Sequence, residues 1–244
     1  MKTIVLLSAF FVATTCLADP SLNLVAGEAP PYVMPQSGSH KGDGVAFDLL
    51  GELAKVLKIP RHQIQKMPFQ RSLLMGKNQK KTIFIAARIP EREQEYTWIA
   101  PLLPEELVLI SHVRWKNEHE KIKQSLTEPI SVWRSSICER LALKKQYQKI
   151  QLASNEETNA RKIHDGRTKL WLASWNMARQ AYINAGLNPN DLVKLASYER
   201  FDIYLVGSKD LSQTEATKWA SALKEIQSNG RYRQILSQYQ YQEP

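Results

Sequence analysis

An α/β protein in two consecutive units, each a parallel sheet with helices on both faces, is what the order of this chain predicts. Three observations carry the prediction. Short apolar runs of strand length alternate with helix-length segments, a pattern that favours parallel strands linked through helices. The alternation occurs twice, which gives two cores of about 100 residues, an ordinary domain size. No repeat, low-complexity tract or flexible linker divides them, so strands should cross from one unit to the other.

The elements follow in order. Leu22 to Ala26 reads as a strand, and Gly27 to Tyr32, with Pro30 and Pro31, as a rigid loop, because proline fixes the backbone and removes a donor. Gly38 to Gly44 is a polar, glycine-rich turn. Phe47 to Leu57 is helical, with Phe47, Leu50, Leu53, Ala54 and Leu57 on one face. Asp48 sits in its first turn, where negative charge is favourable, and Pro60 stops it. Ile64 to Met67 is a second short strand. Arg71 to Met75 starts a helix ending at Gly76, and Thr82 to Ala87 is a buried strand. Trp98 to Pro104 reads as an apolar loop before a strong strand, Leu107 to Val113. Lys116 to Lys123 is a solvated surface.

The second series begins with a strand at Ile130 to Arg134, a helix at Glu139 to Tyr147 and a short run at Gln151 to Ala153. A helix over Asn155 to Asp165 ends at Gly166. Leu170 to Ala173 is a strand, and Asn176 to Ala185 a helix stopped by Gly186. Phe201 to Val206 is the last strand. Gln213 to Asn229 is the clearest late helix, with Ala216, Trp219, Ala220, Leu223 and Ile226 on one stripe. Gly230 ends it, and Arg231 to Tyr239 adds further helical turns.

Lys2, the apolar run Ile4 to Ala13 and the small-residue exit Thr14 to Ala18 form a secretory signal peptide, residues 1–18, cut after Ala18. The run falls short of the roughly 20 apolar residues that span a bilayer. Thr15 precedes Cys16 where a lipid-attachment cysteine follows Ala or Gly, which argues against lipid anchoring. The remaining 226 residues, Asp19 to Pro244, are expected outside the cytoplasm, in the periplasm. Loss of Lys2 lowers the formal net charge from +9 to +8, an excess that attracts anions. Export and the absence of any zinc-finger or RNA-binding signature argue against nucleic acid as the partner. Cys138 remains as the lone cysteine, so no internal disulfide can form; a small buried hydrophobe is the ordinary role of such a residue.

Several segments, in order, resemble the extracytoplasmic solute-binding proteins that include the polar amino-acid receptors of ABC transporters (family 3). They are Gly27-Glu28-Ala29-Pro30-Pro31-Tyr32, Gly44-Val45-Ala46-Phe47-Asp48-Leu49-Leu50, Pro68-Phe69-Gln70-Arg71 and Ala87-Arg88-Ile89-Pro90-Glu91-Arg92-Glu93. Trp98-Ile99-Ala100-Pro101-Leu102, the strand at Leu107 and the Leu223–Ile235 stretch complete the series. The resemblance implies a two-lobed α/β periplasmic-binding-protein-like fold of type II, with the ligand cleft between lobes. Lobe 1 would comprise residues 19–109 and 205–244, and lobe 2 residues 110–204. Closure by hinge motion would trap the ligand.

The resemblance also assigns site residues. Arg92 matches the arginine that clamps a ligand carboxylate; a guanidinium gives two parallel bonds where lysine gives a point charge. The competing reading is a solvated arginine within Glu91-Arg92-Glu93. Arg88 ends the same strand and would help line the cleft. Tyr32 would pack its ring on ligand carbon, against a rival role in the core. Arg71 would face the ligand or pair with Glu28. Trp98 would stand near the hinge-side loop, or in the core. In the second lobe, Ser174 stands where relatives carry an aspartate for an α-ammonium, and a neutral hydroxyl cannot balance that charge. Arg134-Ser135-Ser136 replaces the usual Gly-Ser or Gly-Thr start, where Ser135 and backbone donors could still hold an anion. Trp175 could stack on a bulky ligand.

Solute capture follows: a small ligand bearing a carboxylate or another anion, bound by a monomer with no cofactor and no metal, and handed to the membrane permease of an ABC transporter. An amino acid remains open if Glu28, Glu199 or Asp202 supplies the missing negative charge. The alternatives are a periplasmic enzyme on the same scaffold, which would need a buried acid or base, and a stand-alone sensor. Glu199 is the acidic candidate for the enzyme, against a surface pair with Arg200. Neither His112 nor His164 has a Ser or Cys partner in sequence, and the five histidines show no zinc spacing.

Overall fold

The computed structural model describes residues 22–36 and 42–244. The signal segment, its cleavage point and Cys16 lie outside the described residues, as does most of the Gly38–Gly44 turn.

The first half contains β1 (Asn23–Glu28), α1 (Val45–Val56), β2 (Ile64–Pro68), α2 (Phe69–Asn78) and β3 (Thr82–Ala87). The chain then enters β4 (Thr97–His112) and a short helix, α3 (His119–Lys123). The second half contains β5 (Ile130–Trp133), α4 (Ile137–Lys144), β6 (Ile150–Ala153), α5 (Glu156–His164), β7 (Leu170–Ser174) and α6 (Trp175–Asn184). A long strand, β8 (Leu192–Gly207), returns, and α7 (Gln213–Ser228) and α8 (Arg231–Gln238) close the chain.

The eight strands of the described residues form one sheet in the order β2-β1-β3-β8-β4-β7-β5-β6. β1 lies parallel to β2 and β3, and β5 parallel to β6 and β7. β4 and β8 run antiparallel along their whole lengths. β8 meets β3 over Ile203–Gly207, and β4 meets β7 over Leu107–Ile110. Two strands therefore cross between the halves, as the lack of a linker predicts. The expectation of wholly parallel sheets is corrected: the crossing strands are antiparallel to each other and to β3 and β7. The Trp98–Pro104 loop is corrected too, since those residues are strand in β4, with register shifts at Trp98/Ala100 and Pro101/Leu103. Such bulges let a strand carry prolines that offer no ladder donor.

Local chemistry accounts for the helices. α1 buries Phe47, Leu50, Leu53 and Ala54, the face predicted from their spacing. Asp48 in its first turn accepts from Arg61 and from the Tyr239 hydroxyl. α4 and α5 begin at Ser136 and Asn155, whose side chains accept from the Glu139 and Thr158 amides. Gly186 and Gly230 follow α6 and α7 at φ 74° and 81°, where a side chain would be strained. Gly76 has another role. It lies inside α2, which runs two residues further, and a Cβ there would meet the Phe84 ring at 2.3 Å.

Helices cover both faces of each half. α1, α7 and α8 bury Leu50, Trp219, Leu223 and Ile235 against one face of the first half, while Leu73 and Phe84 fill the other. In the second half Cys138 packs with Val132 and Leu172, and Ile163 packs with Trp171 and Tyr182. Burying each large apolar side chain contributes about 1.5–3 kcal/mol. Among the described residues, no helix is long and apolar enough to cross a membrane.

Candidate functional site

The carboxyl ends of β1, β3, β5 and β7 converge on one cavity of about 160 Å³, where open α/β sheets present ligand sites. The first half contributes Gly27, Ala29, Tyr32, Phe69, Gln70, Ala87 and Arg92. The second half contributes Trp133 through Cys138, Arg140, Glu156, Ser174 and Met177, and β8 adds Phe201 and Ile203. The lining is mainly apolar, with a few charged groups set into it.

Arg92 is the charged group of the first half. The turn after β3 puts its guanidinium over the Phe69 ring at 5.6 Å, and one nitrogen donates to the Ala87 carbonyl at 3.3 Å. It forms no ion pair among the described residues. Burial, with nearby Arg140 adding to it, pushes its pKa down, although a guanidinium stays charged at any working pH. A half-buried arginine on a cavity wall, without a carboxylate of its own, is suited to an anion from outside.

Opposite stands the turn into α4. Ser135 adopts φ 58°, its amide donates to the Glu139 carboxylate, and the Ser136 hydroxyl donates to the Trp133 carbonyl at 2.6 Å. Arg134 and Arg140 flank this turn at the cavity. Arg140 also reaches Glu91 of the first half at 3.6 Å; both side chains are about half exposed, so the pair contributes little.

Tyr32 and Ser174 meet across the cavity, hydroxyl to hydroxyl, at 3.0 Å. Both are buried. Burial first, then the Glu105 carboxylate, raises the Tyr32 phenol well above its usual pKa, so this pair is neutral. Behind it lies a buried polar cluster that spans the halves. Glu105 on β4 accepts from Asn176 of α6 at 2.7 Å and from the Tyr241 hydroxyl at 2.9 Å. Asn176 in turn holds the Gln242 backbone. Burial raises the Glu105 carboxyl pKa against these hydrogen bonds.

Of the residues singled out in the sequence, Arg92, Tyr32, Ser135 and Ser174 come together at this cavity, and the other five do not. Arg88 turns outward, paired with Glu93 and stacked on Trp98 and Tyr204. Trp98 packs edge-on against Tyr96 and Tyr204. Trp175 points away and donates to Gln242 at 2.6 Å. Arg71 is exposed on α2, and its neighbours Phe69 and Gln70 reach the cavity instead. Glu28 accepts from the Gln36 amide at 3.0 Å, and no Arg71–Glu28 pair forms among the described residues. The acids proposed to replace a missing aspartate, Glu28, Glu199 and Asp202, are all absent from the lining.

Sequence reasoning missed Glu156, the one carboxylate among the described residues that line the cavity. It is 9% exposed, and its Oε2 accepts from Asn159 at 2.7 Å and from the Trp171 indole at 3.0 Å. Burial pushes its pKa up to about 7 against both hydrogen bonds. Its spacing beside Asn155 and Glu157 looks like any acidic first helical turn, so the sequence held no signal for it.

No family model and no curated protein sequence matches the chain. Solved structures do. A mutant of the arginine-binding protein ArgBP from T. maritima is 16% identical, with a TM-score of 0.71 over 91% of this chain and 96% of the other. The GluR0 ligand-binding core from Nostoc punctiforme, in complex with L-glutamate, is 13% identical, with a TM-score of 0.72 over 91% and 100%. An ancestral arginine-binding protein bound to arginine is 20% identical, with a TM-score of 0.68 over 90% and 98%. The likeness runs through nearly the whole of each chain, and the protein has the two-lobed α/β fold of the periplasmic binding proteins.

Proposed function

We propose that this protein captures a small solute bearing a carboxylate or similar anion and closes its two lobes around it. The observation that carries this reading is Arg92: a cationic fork on the wall of a mainly apolar cavity, anchored by one carbonyl and one ring and lacking a carboxylate partner. The arginine-, glutamine- and glutamate-bound proteins of the same fold make an amino acid the first class to test. The lobes divide as residues 19–109 with 205–244, and 110–204. The switch of strand partners along β4 and β8 supports a hinge there. The chain works in the periplasm after removal of residues 1–18 and delivers its ligand to an ABC permease.

Capture, not turnover, is the reading proposed, and Glu156, a buried acid on the cavity wall, is the reason turnover is tested alongside it. Among the described residues no histidine lines the cavity, and burial pushes the Cys138 thiol pKa well up, away from the reactive thiolate. A thermal-shift screen of amino acids, organic acids and short peptides should find a stabilising ligand, because binding to the folded state raises apparent stability. The best hit should then bind Arg92→Ala at least about thirtyfold more weakly, and Arg92→Lys should recover only part of the loss. Equal affinities in folded variants would remove Arg92 from the site. Conversion of the ligand by pure protein would replace capture with catalysis.

A further inference from the structure

We propose that Glu156 is the acceptor for a protonated nitrogen on the ligand, so that the cavity takes molecules with an anion at one end and an ammonium- or guanidinium-type group at the other. The inference rests on the reading of Arg92 as the anion clamp.

Three observations on the molecule lead to it. Among the described residues Glu156 is the single acidic group on the cavity wall, and its hydrogen bonds come from Asn159 and Trp171, with no lysine, arginine or histidine paired to it. Its two oxygens are used unequally. Oε2 takes both the Asn159 and the Trp171 hydrogen bonds, and no hydrogen bond reaches Oε1 among the described residues. That oxygen is also absent from the buried polar atoms left without partners, so it keeps accessible surface on a side chain that lines the cavity. An acid that served only the positive end of α5 could stay in water, as the next residue does. Glu157 is exposed and bonds only Asn184. Glu156 is instead buried and held in one orientation by an indole and an amide, an arrangement that costs stability unless a donor completes it.

The rest of the cavity leaves this role to Glu156. Ser174 and Tyr32 share one hydrogen bond and carry no charge. Glu105 is buried behind them and occupied by Asn176 and Tyr241. Arg92, Arg134 and Arg140 supply only positive charge. A ligand with an anion alone would leave Oε1 facing an apolar wall; one with a protonated nitrogen satisfies both ends.

Matched pairs that differ by one nitrogen test this: propionate against L-alanine, butyrate against γ-aminobutyrate, and L-citrulline against L-arginine. Each would be titrated calorimetrically into wild type, Arg92→Ala and Glu156→Gln at about pH 8, where a carboxyl of pKa near 7 is ionised. In at least one pair the member with the extra cation should bind about tenfold or more tightly. Glu156→Gln should erase that advantage while changing the partner's affinity by less than about threefold, and Glu156→Asp, which keeps the charge, should restore part of it. An advantage that persists in Glu156→Gln, or no advantage in any pair while the acids still bind through Arg92, overturns the role of Glu156 alone. If no compound binds, or Arg92→Ala binds as wild type does, the anion clamp falls and this inference falls with it. Should Glu156→Gln fail to fold, the pairs titrated into wild type and Glu156→Asp still decide the outcome.

Discussion

Glu156 carries a cost in the protein without ligand, and that cost has a pH signature. Burial raises its pKa from 4.5 to about 7. Below 4.5 the carboxyl is protonated in both folded and unfolded chains, and nothing is lost. As pH rises from there toward 7, the unfolded chain releases this proton while the folded chain keeps it. Stability therefore falls, by on the order of 3 kcal/mol across that window, and the loss is complete above the folded pKa. A glutamine at this position cannot ionise. Denaturant unfolding at about pH 4.5 and pH 8 should therefore show the Glu156→Gln variant gaining on wild type as pH rises; parallel behaviour would mean that the group titrates normally. The place of Arg92 on the cavity wall is legible in the sequence, because it lies just beyond a buried apolar strand. The place of Glu156 is not: burial gives it its raised pKa, and the Trp171 indole that orients it lies fifteen residues away, a contact that exists only once β6 and β7 flank β5. Arg88 shows the reverse error. It stands directly after β3, but Glu93, five residues on, draws it outward.

At the level of elements, α2 and β3 illustrate how a packing constraint can pass for a terminator. Gly76 reads as a helix stop, yet it is buried inside α2 because the Phe84 ring lies against its backbone. Alanine would raise helix propensity by about 1 kcal/mol, but its methyl would meet a ring carbon at 2.3 Å. Overpacking of that kind costs about 1–3 kcal/mol. Gly76→Ala should thus lower stability in a denaturation curve, and a gain would show that the ring can yield. The short buried strands and the helices were readable because apolar runs and helical stripes report burial directly. The two crossing strands were only half readable. Pro101 and Pro104 disguise the first part of β4 as a loop, and Lys194, Glu199 and Arg200 give the first part of β8 a solvated look. Their strand character comes from pairing with each other across nearly a hundred residues of chain, which local pattern cannot express.

For the whole molecule, β4 and β8 are the covalent joint between lobes, and side-chain contacts across the cavity are its clasps. Tyr32–Ser174 and Arg140–Glu91 bring residues of the two halves together directly. Ligand should favour the conformation that keeps these contacts. Solution scattering should accordingly show a more compact particle with the best ligand than without it; an unchanged profile would count against hinge closure. The joint, the two cores and the cavity position follow from the order of elements, which is why the fold was legible where the ligand's chemistry was not. The cavity also contains a light source. Five of the six tryptophans, at positions 98, 115, 171, 175 and 219, are absent from its lining, and Trp133 alone belongs to it. A solute that displaces water from that indole, or brings Phe201 and Arg92 nearer to it, should shift the emission wavelength or intensity. Trp133→Phe should remove most of the change, leaving what Trp171 reports through its bond to Glu156, and this would give the protein a label-free optical titration before its natural ligand is known.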